Sequence, residues 1–186
     1  MLSAEDPLPH RPRRVVVAGT SGSGKTTLAR RIGAALELPF TEMDALHHGP
    51  SWTPRPEFMN DVERFSSADA WVCEWQYPDA RALLADRADT LVWLDVATPV
   101  TMTRLVRRTA RRRFRDEELW NGNKEAALHT VFTDPEHVVR WAWRTRHLLR
   151  ELVPALEVTH PQLVIARLHN RSDVDLFVTR LSAGVA

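Results

Sequence analysis

Gly19-Thr20-Ser21-Gly22-Ser23-Gly24-Lys25-Thr26 decides how the rest of this chain is read. The octet meets the phosphate-binding pattern G-x-x-x-x-G-K-[ST] at every defined position. It follows the apolar run Arg14-Val15-Val16-Val17-Ala18 and leads into Thr27-Leu28-Ala29-Arg30-Arg31-Ile32, whose spacing suits a helix. Strand, glycine loop and helix in that order form an anion cradle. Gly19, Gly22 and Gly24 let the backbone curl, and the N–H groups around Ser21 and Ser23 point inward at the helix start. Lys25 is placed to reach the β and γ phosphates of a nucleoside triphosphate such as ATP. Thr26 would set its hydroxyl on Mg²⁺, and Thr27 would cap the first turn or touch the α phosphate. A bare Gly/Ser turn explains neither the lysine nor the hydroxyl after the last glycine.

At 186 residues the chain suits one α/β domain with a full core. The single cysteine, Cys73, excludes an internal disulfide and any multi-cysteine zinc site. A formal net charge of +1 averages over an uneven distribution, because seven arginines fall between Arg104 and Arg115. Residues 1–13 carry prolines and charges without an apolar stretch, so they are expected as a flexible lead-in, with the domain spanning 14–186. No segment has the length of a membrane span, and a cytoplasmic location follows by default.

Short apolar runs alternate with longer helical patterns, which predicts a parallel sheet with helices on both faces. Strands are expected over 15–18, 39–43, 71–75, 90–95 and 163–168. An insertion over about 44–69 contains a Pro/Gly loop at 49–56 and a helix at 57–65, long enough to wall off a second substrate. Thr98-Pro99 reads as a cap and first-turn proline of a helix running to about Arg113. Taking Arg104 as zero on a helical wheel, Arg108, Arg111 and Arg115 lie within about 40° of it, while Met102, Leu105, Val106, Thr109 and Ala110 lie between about 100° and 240°. The apolar face should therefore meet the sheet and the arginines should point away. A lid is expected over about 111–134, then a helix over 135–151 ended by Pro154, and last a helix over 172–181.

The order of these elements resembles the nucleoside monophosphate kinase and shikimate kinase superfamily, and within it the small adenylate kinase-related, DNA-topology-modulation-like proteins. The motifs carrying the resemblance are the phosphate loop, Asp44-Ala45-Leu46-His47, Trp52-Thr53-Pro54-Arg55, Tyr77 with Arg81, Thr90-Leu91-Val92-Trp93-Leu94-Asp95, the arginine-rich helix, and Leu119-Trp120-Asn121-Gly122-Asn123. It implies the three-layer P-loop NTPase fold with a five-stranded parallel sheet in the order 2-3-1-4-5. It also implies a phosphotransferase that uses ATP and Mg²⁺ and moves the γ-phosphate to a small molecule, a nucleotide or nucleoside among the candidates. Such relatives carry Asp-Gly-Asn-Tyr where this chain has Glu74-Trp75-Gln76-Tyr77, so an indole is expected to fill space near the acceptor. The chain lacks the Asn-Lys-x-Asp motif of GTPases and the Leu-Ser-Gly-Gly signature of ABC-type ATPases. The alternative from another class is a nucleic-acid-associated ATP-binding regulator using its arginines on phosphates.

The resemblance distributes roles. Arg108 would contact phosphate and Arg104 would stack on adenine, with Arg111 or Arg115 in the lid and Arg140 and Arg144 returning to the transferring phosphate. Asp44, past the second strand, would orient or deprotonate an acceptor hydroxyl. Glu74, past the third, would hold Mg²⁺ with Thr26 and face the acceptor; Asp95 ranks below it. Arg55 and Arg81 would bind an anionic group on the acceptor. His47 and His48 have no third ligand at metal spacing and are expected along the acceptor loop. Among the seven tryptophans, Trp71 and Trp93 read as core, Trp52 and Trp75 as flanking the acceptor, and Trp141 and Trp143 as helix packing. Monomer and homodimer both fit the sequence.

Overall fold

A computed structural model describes residues 1–126, 130–131, 133–134 and 137–184. Five strands, β1 (Arg14–Gly19), β2 (Phe40–Thr41), β3 (Trp71–Glu74), β4 (Thr90–Leu94) and β5 (Val164–Leu168), form one sheet in the order β2-β3-β1-β4-β5. Every pairing is parallel, with β1 central between β3 and β4. Order and direction agree with the sequence expectation. β2 is shorter than expected, because Met43 already belongs to a helix.

The strands are apolar on both faces, as a sheet covered on both sides requires. Val15 and Val17 join Leu28, Ile32, Val92, Leu94, Phe177 and Leu181 in one core layer. Val16 joins Met43, Trp71, Trp75, Leu84, Leu91, Trp93, Leu149 and Val153 in the other. The first layer is covered by α1 (Lys25–Leu36) and α8 (Arg171–Ser182), which pack against each other. The second is covered by α3 (Phe58–Ser66), α4 (Pro78–Arg87) and α7 (Leu148–Thr159). Trp71 and Trp93 are core residues, as expected.

Residues 1–13, expected as a loose lead-in, lie against the sheet. Leu2 bridges to Ala166 in parallel, donating its N–H to Ile165 O at 2.7 Å and accepting from Arg167 N at 2.8 Å, while Ala4 and Leu8 are buried. Their apolar side chains, too few to show a periodicity, are what holds the segment.

Three elements complete the ends of the strands: α2 (Met43–His47), α5 (Thr98–Phe114) and α6 (Val138–Arg144). In α5 the cap position is Ala97, so Thr98 and Pro99 sit inside the first turn and Thr98 is no side-chain cap. The helix expected over 135–151 begins at residues outside those described. Its described part is two helices, and Pro154 lies inside α7 rather than ending it. Burial of Leu149, Val153 and Leu156 holds α7 across the hydrogen bond that the proline cannot donate. Of the expected lid, residues 127–129 and 132 lie outside those described.

Candidate active site

β1 ends at Gly19 and α1 begins at Lys25, so the octet is the turn between them. Gly22 and Gly24 have φ of 82° and 102°, the left-handed region that glycine enters without a Cβ clash. A Cβ on Gly22 would also come within 2.2 Å of the Thr101 carbonyl oxygen of α5. Gly22→Ala is therefore expected to lower stability by about 2 kcal/mol or more, read in thermal melting as a drop of about 4–8 °C. An unchanged melting temperature would show that the loop can relax away from α5. The cap of α1 is Gly24, without a side-chain hydrogen bond, so Thr27 does not cap the first turn. Ser23 is buried, and its hydroxyl has no hydrogen-bond partner.

A cleft of about 800 Å³ opens over this turn. Gly19, Ser21, Lys25 and Thr26 form one side of it; Asp44, His47, His48, Trp52, Trp75, Tyr77 and Arg81 form another; Arg108, Arg112, Trp120, His137 and Trp141 close it. The structure thus brings together Lys25, Thr26, Asp44, Arg81 and Arg108. Trp75 narrows the cleft without closing it: its indole is almost fully buried, and its N–H donates to Arg81 O at 3.0 Å. The Arg81 guanidinium lies 5.4 Å from the center of that ring, with its Nε unpartnered.

Glu74, fully buried at the end of β3, accepts from Thr26 Oγ1 at 2.7 Å and from Met43 N at 3.0 Å. A hydroxyl and a carboxylate held side by side at the phosphate turn are hard oxygen donors, a set that fits Mg²⁺. Burial pushes the Glu74 carboxyl above its usual range, with Asp44 adding to the rise and the two hydrogen bonds and Lys25 opposing it. Burial likewise lowers Lys25, helped by the Arg108 charge and opposed by Asp44 and Glu74. Asp95, the other acid at a strand end, is committed elsewhere. It is hydrogen-bonded by Arg167 and, at 3.3 Å, by Arg150 Nε.

Asp44 is fixed by a network. Its Oδ1 accepts from Tyr77 Oη at 2.5 Å and from Gln76 Nε2, and Tyr77 Oη lies 3.1 Å from His48 Nε2. Because the single phenol hydrogen goes to Asp44, the histidine nitrogen is the donor in that last pair. Burial and the Asp44 charge hold the phenol far above its usual range, so it stays a donor. Tyr77 adopts φ 61° at the start of α4, and His47 stacks on its ring at 3.9 Å. The loop around Gly49 and Trp52 is also clasped by Asn123 and Lys124. Trp52 N donates to Asn123 Oδ1 at 2.8 Å, Asn123 Nδ2 to Gly49 O at 2.8 Å and Trp52 Nε1 to Lys124 O at 3.1 Å.

Four expected residues lie elsewhere. Arg55 turns into the insertion, donating to Leu46 O at 3.1 Å and pairing with Asp61 at 3.1 Å, because the nearly buried Asp61 carboxylate demands a cation. Arg104 is exposed and does not line the cleft. The buried residues of α5 are Thr101, Leu105 and Thr109, an arc at about 60–140° on the wheel that contains Arg112 near 80°, has Arg108 near 40° at its edge and leaves Arg104 outside. Val106, expected on the apolar face, is 46% exposed for the same reason. Val138 and Trp141 of α6, with Thr145 just past its end, line the cleft. Arg140 and Arg144 line a separate recess with Met102, Val139 and Trp143.

Trp141 and Trp143, expected as packing, are 40% and 55% exposed, the first on the cleft and the second under the Arg146 guanidinium at 4.1 Å. Arg112, read from sequence as surface, lines the cleft, paired with Glu125 at 3.2 Å and near Glu117 at 3.7 Å. Its position one turn after Arg108, toward Leu105, was the available signal. Arg113 is near Asp116 at 3.7 Å, so part of the arginine stripe is already matched by acids. His137 also lines the cleft, and no motif marked it.

No family model matches the chain, and no curated protein matches it. Solved structures do. A gluconokinase from Sinorhizobium meliloti 1021 aligns with a TM-score of 0.55 at 21% identity, over 95% of this chain and 95% of that one. This is the fold of the P-loop kinases. A shikimate kinase from Acinetobacter baumannii in complex with shikimate aligns with a TM-score of 0.51 at 16% identity, over 92% and 93% of the two chains. A shikimate kinase from Bacteroides thetaiotaomicron gives 0.50 at 16% identity, over 92% and 97%. Among the described residues no helix is long and apolar enough to cross a membrane, and no three His, Cys, Asp or Glu side chains gather as a metal cluster.

Proposed function

We propose that this chain is an ATP-dependent phosphotransferase that moves the γ-phosphate to a hydroxyl of a small molecule. The carrying observation is that Lys25 of the phosphate turn, the braced carboxylate of Asp44, Arg81 and Arg108 all line one cleft. The gluconokinase and shikimate kinase structures that share the fold support the class. Lys25 and Arg108 gather charge on the transferring group, which is the main protein contribution to this chemistry. Tyr77 and Gln76 both hold Oδ1 of Asp44, which leaves Oδ2 to take the acceptor proton. The acceptor oxygen then bonds to the γ-phosphorus as the bond to the bridging oxygen breaks, and its electron pair leaves with ADP. Arg81, whose guanidinium lies over Trp75 and whose Nε has no hydrogen-bond partner among the described residues, suits an anionic group on the acceptor. Thr26 and Glu74 would hold Mg²⁺, which when bound supplies charge neutralisation at the β and γ phosphates.

ADP release should be screened over hydroxylated acids, sugars, nucleosides and nucleoside monophosphates. Stimulation by at least one of them is expected, and none above background ends the proposal. Its dependence on pH is a second check. With Glu74 raised and Lys25 lowered, kcat/KM for ATP should fall on the acid side above the ordinary glutamate value of about 4.3 and on the alkaline side below the ordinary lysine value of about 10.4. Glu74→Gln should move the acid limb to lower pH, leaving the fall due to the Asp44 base. A profile flat between those two values would contradict both assignments.

A further inference from the structure

His137 caps α6: its Nδ1 accepts from Val139 N at 3.3 Å. A ring nitrogen that accepts carries no proton, so the neutral imidazole has its hydrogen on Nε2. Among the described residues that Nε2 has no hydrogen-bond partner, in a residue only 3% exposed that lines the cleft. A buried donor left unmade costs free energy, and such groups in folded proteins mark a missing partner. The same cleft holds another, the buried Nε of Arg108, whereas the Nε of Arg112 faces a Glu117 carboxylate oxygen at 3.7 Å. Arg108 bears electrostatically on Lys25, and both line this cleft with His137. Two buried donors without a hydrogen-bond acceptor along one cleft suit an oxyanion, which accepts several hydrogen bonds at once.

We propose that His137 is a phosphoryl-recognising residue, whose Nε2–H donates to an oxygen of the terminal phosphate of the bound triphosphate. The inference rests on the phosphotransferase reading and adds to it a neutral donor in the cleft that Lys25 also lines. It explains why the cap of so short a helix is a histidine. Asparagine or aspartate would cap as well, but neither carries a second polar atom as far from the backbone as the imidazole Nε2.

The cap and the ligand role separate by substitution. His137→Asn keeps an acceptor for Val139 N and removes the distal donor; His137→Gln keeps a donor near the Nε2 position. Calorimetric titration with β,γ-methylene ATP and with ADP reads the outcome in the full chain. His137→Asn should weaken the triphosphate analogue roughly ten- to hundredfold while ADP affinity and melting temperature stay within error, and His137→Gln should recover part of the loss. Equal weakening of both ligands, or no weakening, overturns the inference. Should His137→Asn not fold, the wild-type imidazole ¹⁵N spectrum decides. The Nε2–H of His137 should become protected from solvent exchange with the analogue and not with ADP, and an unmoved signal overturns the inference. Failure of the wild type to bind either nucleotide would instead strike the phosphotransferase reading itself, and the inference with it.

Discussion

Lys25→Met should lower ATP-dependent phosphoryl transfer about a thousandfold, in line with removal of one pre-positioned charge from a developing anion. Lys25 sits at the first position of α1 and lines the cleft with Thr26, and among the described residues no carboxylate pairs with it at salt-bridge distance. Its charge is held in a low-dielectric position, which burial already penalises. Methionine keeps an unbranched apolar stem of similar reach, so the phosphate turn keeps its packing while the ammonium is lost. The fold should not suffer, because the penalty of burying a charge goes with it. ADP release with the best acceptor and a melting curve, taken together, read the two effects apart. Turnover within tenfold of wild type would mean that the cleft does not use Lys25 on phosphate.

Asp44→Asn is expected to have the second largest effect, a fall in kcat of about a hundred- to ten-thousandfold, the range for a positioned proton acceptor. Asparagine preserves a carbonyl oxygen for the Tyr77 and Gln76 donors. The wall of the cleft should hold its shape. What is lost is basicity, so affinity for an ATP analogue should stay within a fewfold. If kcat were nearly unchanged, Asp44 would serve only to hold Tyr77 and the stacked His47, and the proton would leave by another route. Tyr77→Phe tests the brace rather than the base, and its expected effect is smaller, because Gln76 still holds Oδ1.

The sheet was legible in the sequence because each strand is a short apolar run bounded by loops, and because the glycine octet names the strand that must be central. The five-residue α2 was not, since so short a helix has no periodicity to read, yet it carries Asp44 and His47. The arginine helix shows the limit of a wheel. Its stripe is plain, but which flank meets the cleft depends on rotation about the axis, and burial of Thr101, Leu105 and Thr109 fixes that rotation. Hence Arg108 and Arg112 reach the site and Arg104 does not. Arg55 and Arg144 were drawn elsewhere by features no local pattern contains: the nearly buried Asp61 and the break between α6 and α7. Trp75 was read as an obstruction. Its burial is visible only once Arg81 is seen over the ring.

The short stretch at the start of the chain has a bearing on handling the protein as well as on its fold. At one border of the sheet β2 is only two residues long, and at the other Leu2 occupies the hydrogen-bonding side of β5 at Ile165 and Arg167. A chain trimmed of those first residues would present β5 as an open strand, and open strands recruit other chains. Clumping in concentrated solution, with turnover still intact in dilute samples, is the form in which that loss would first be met.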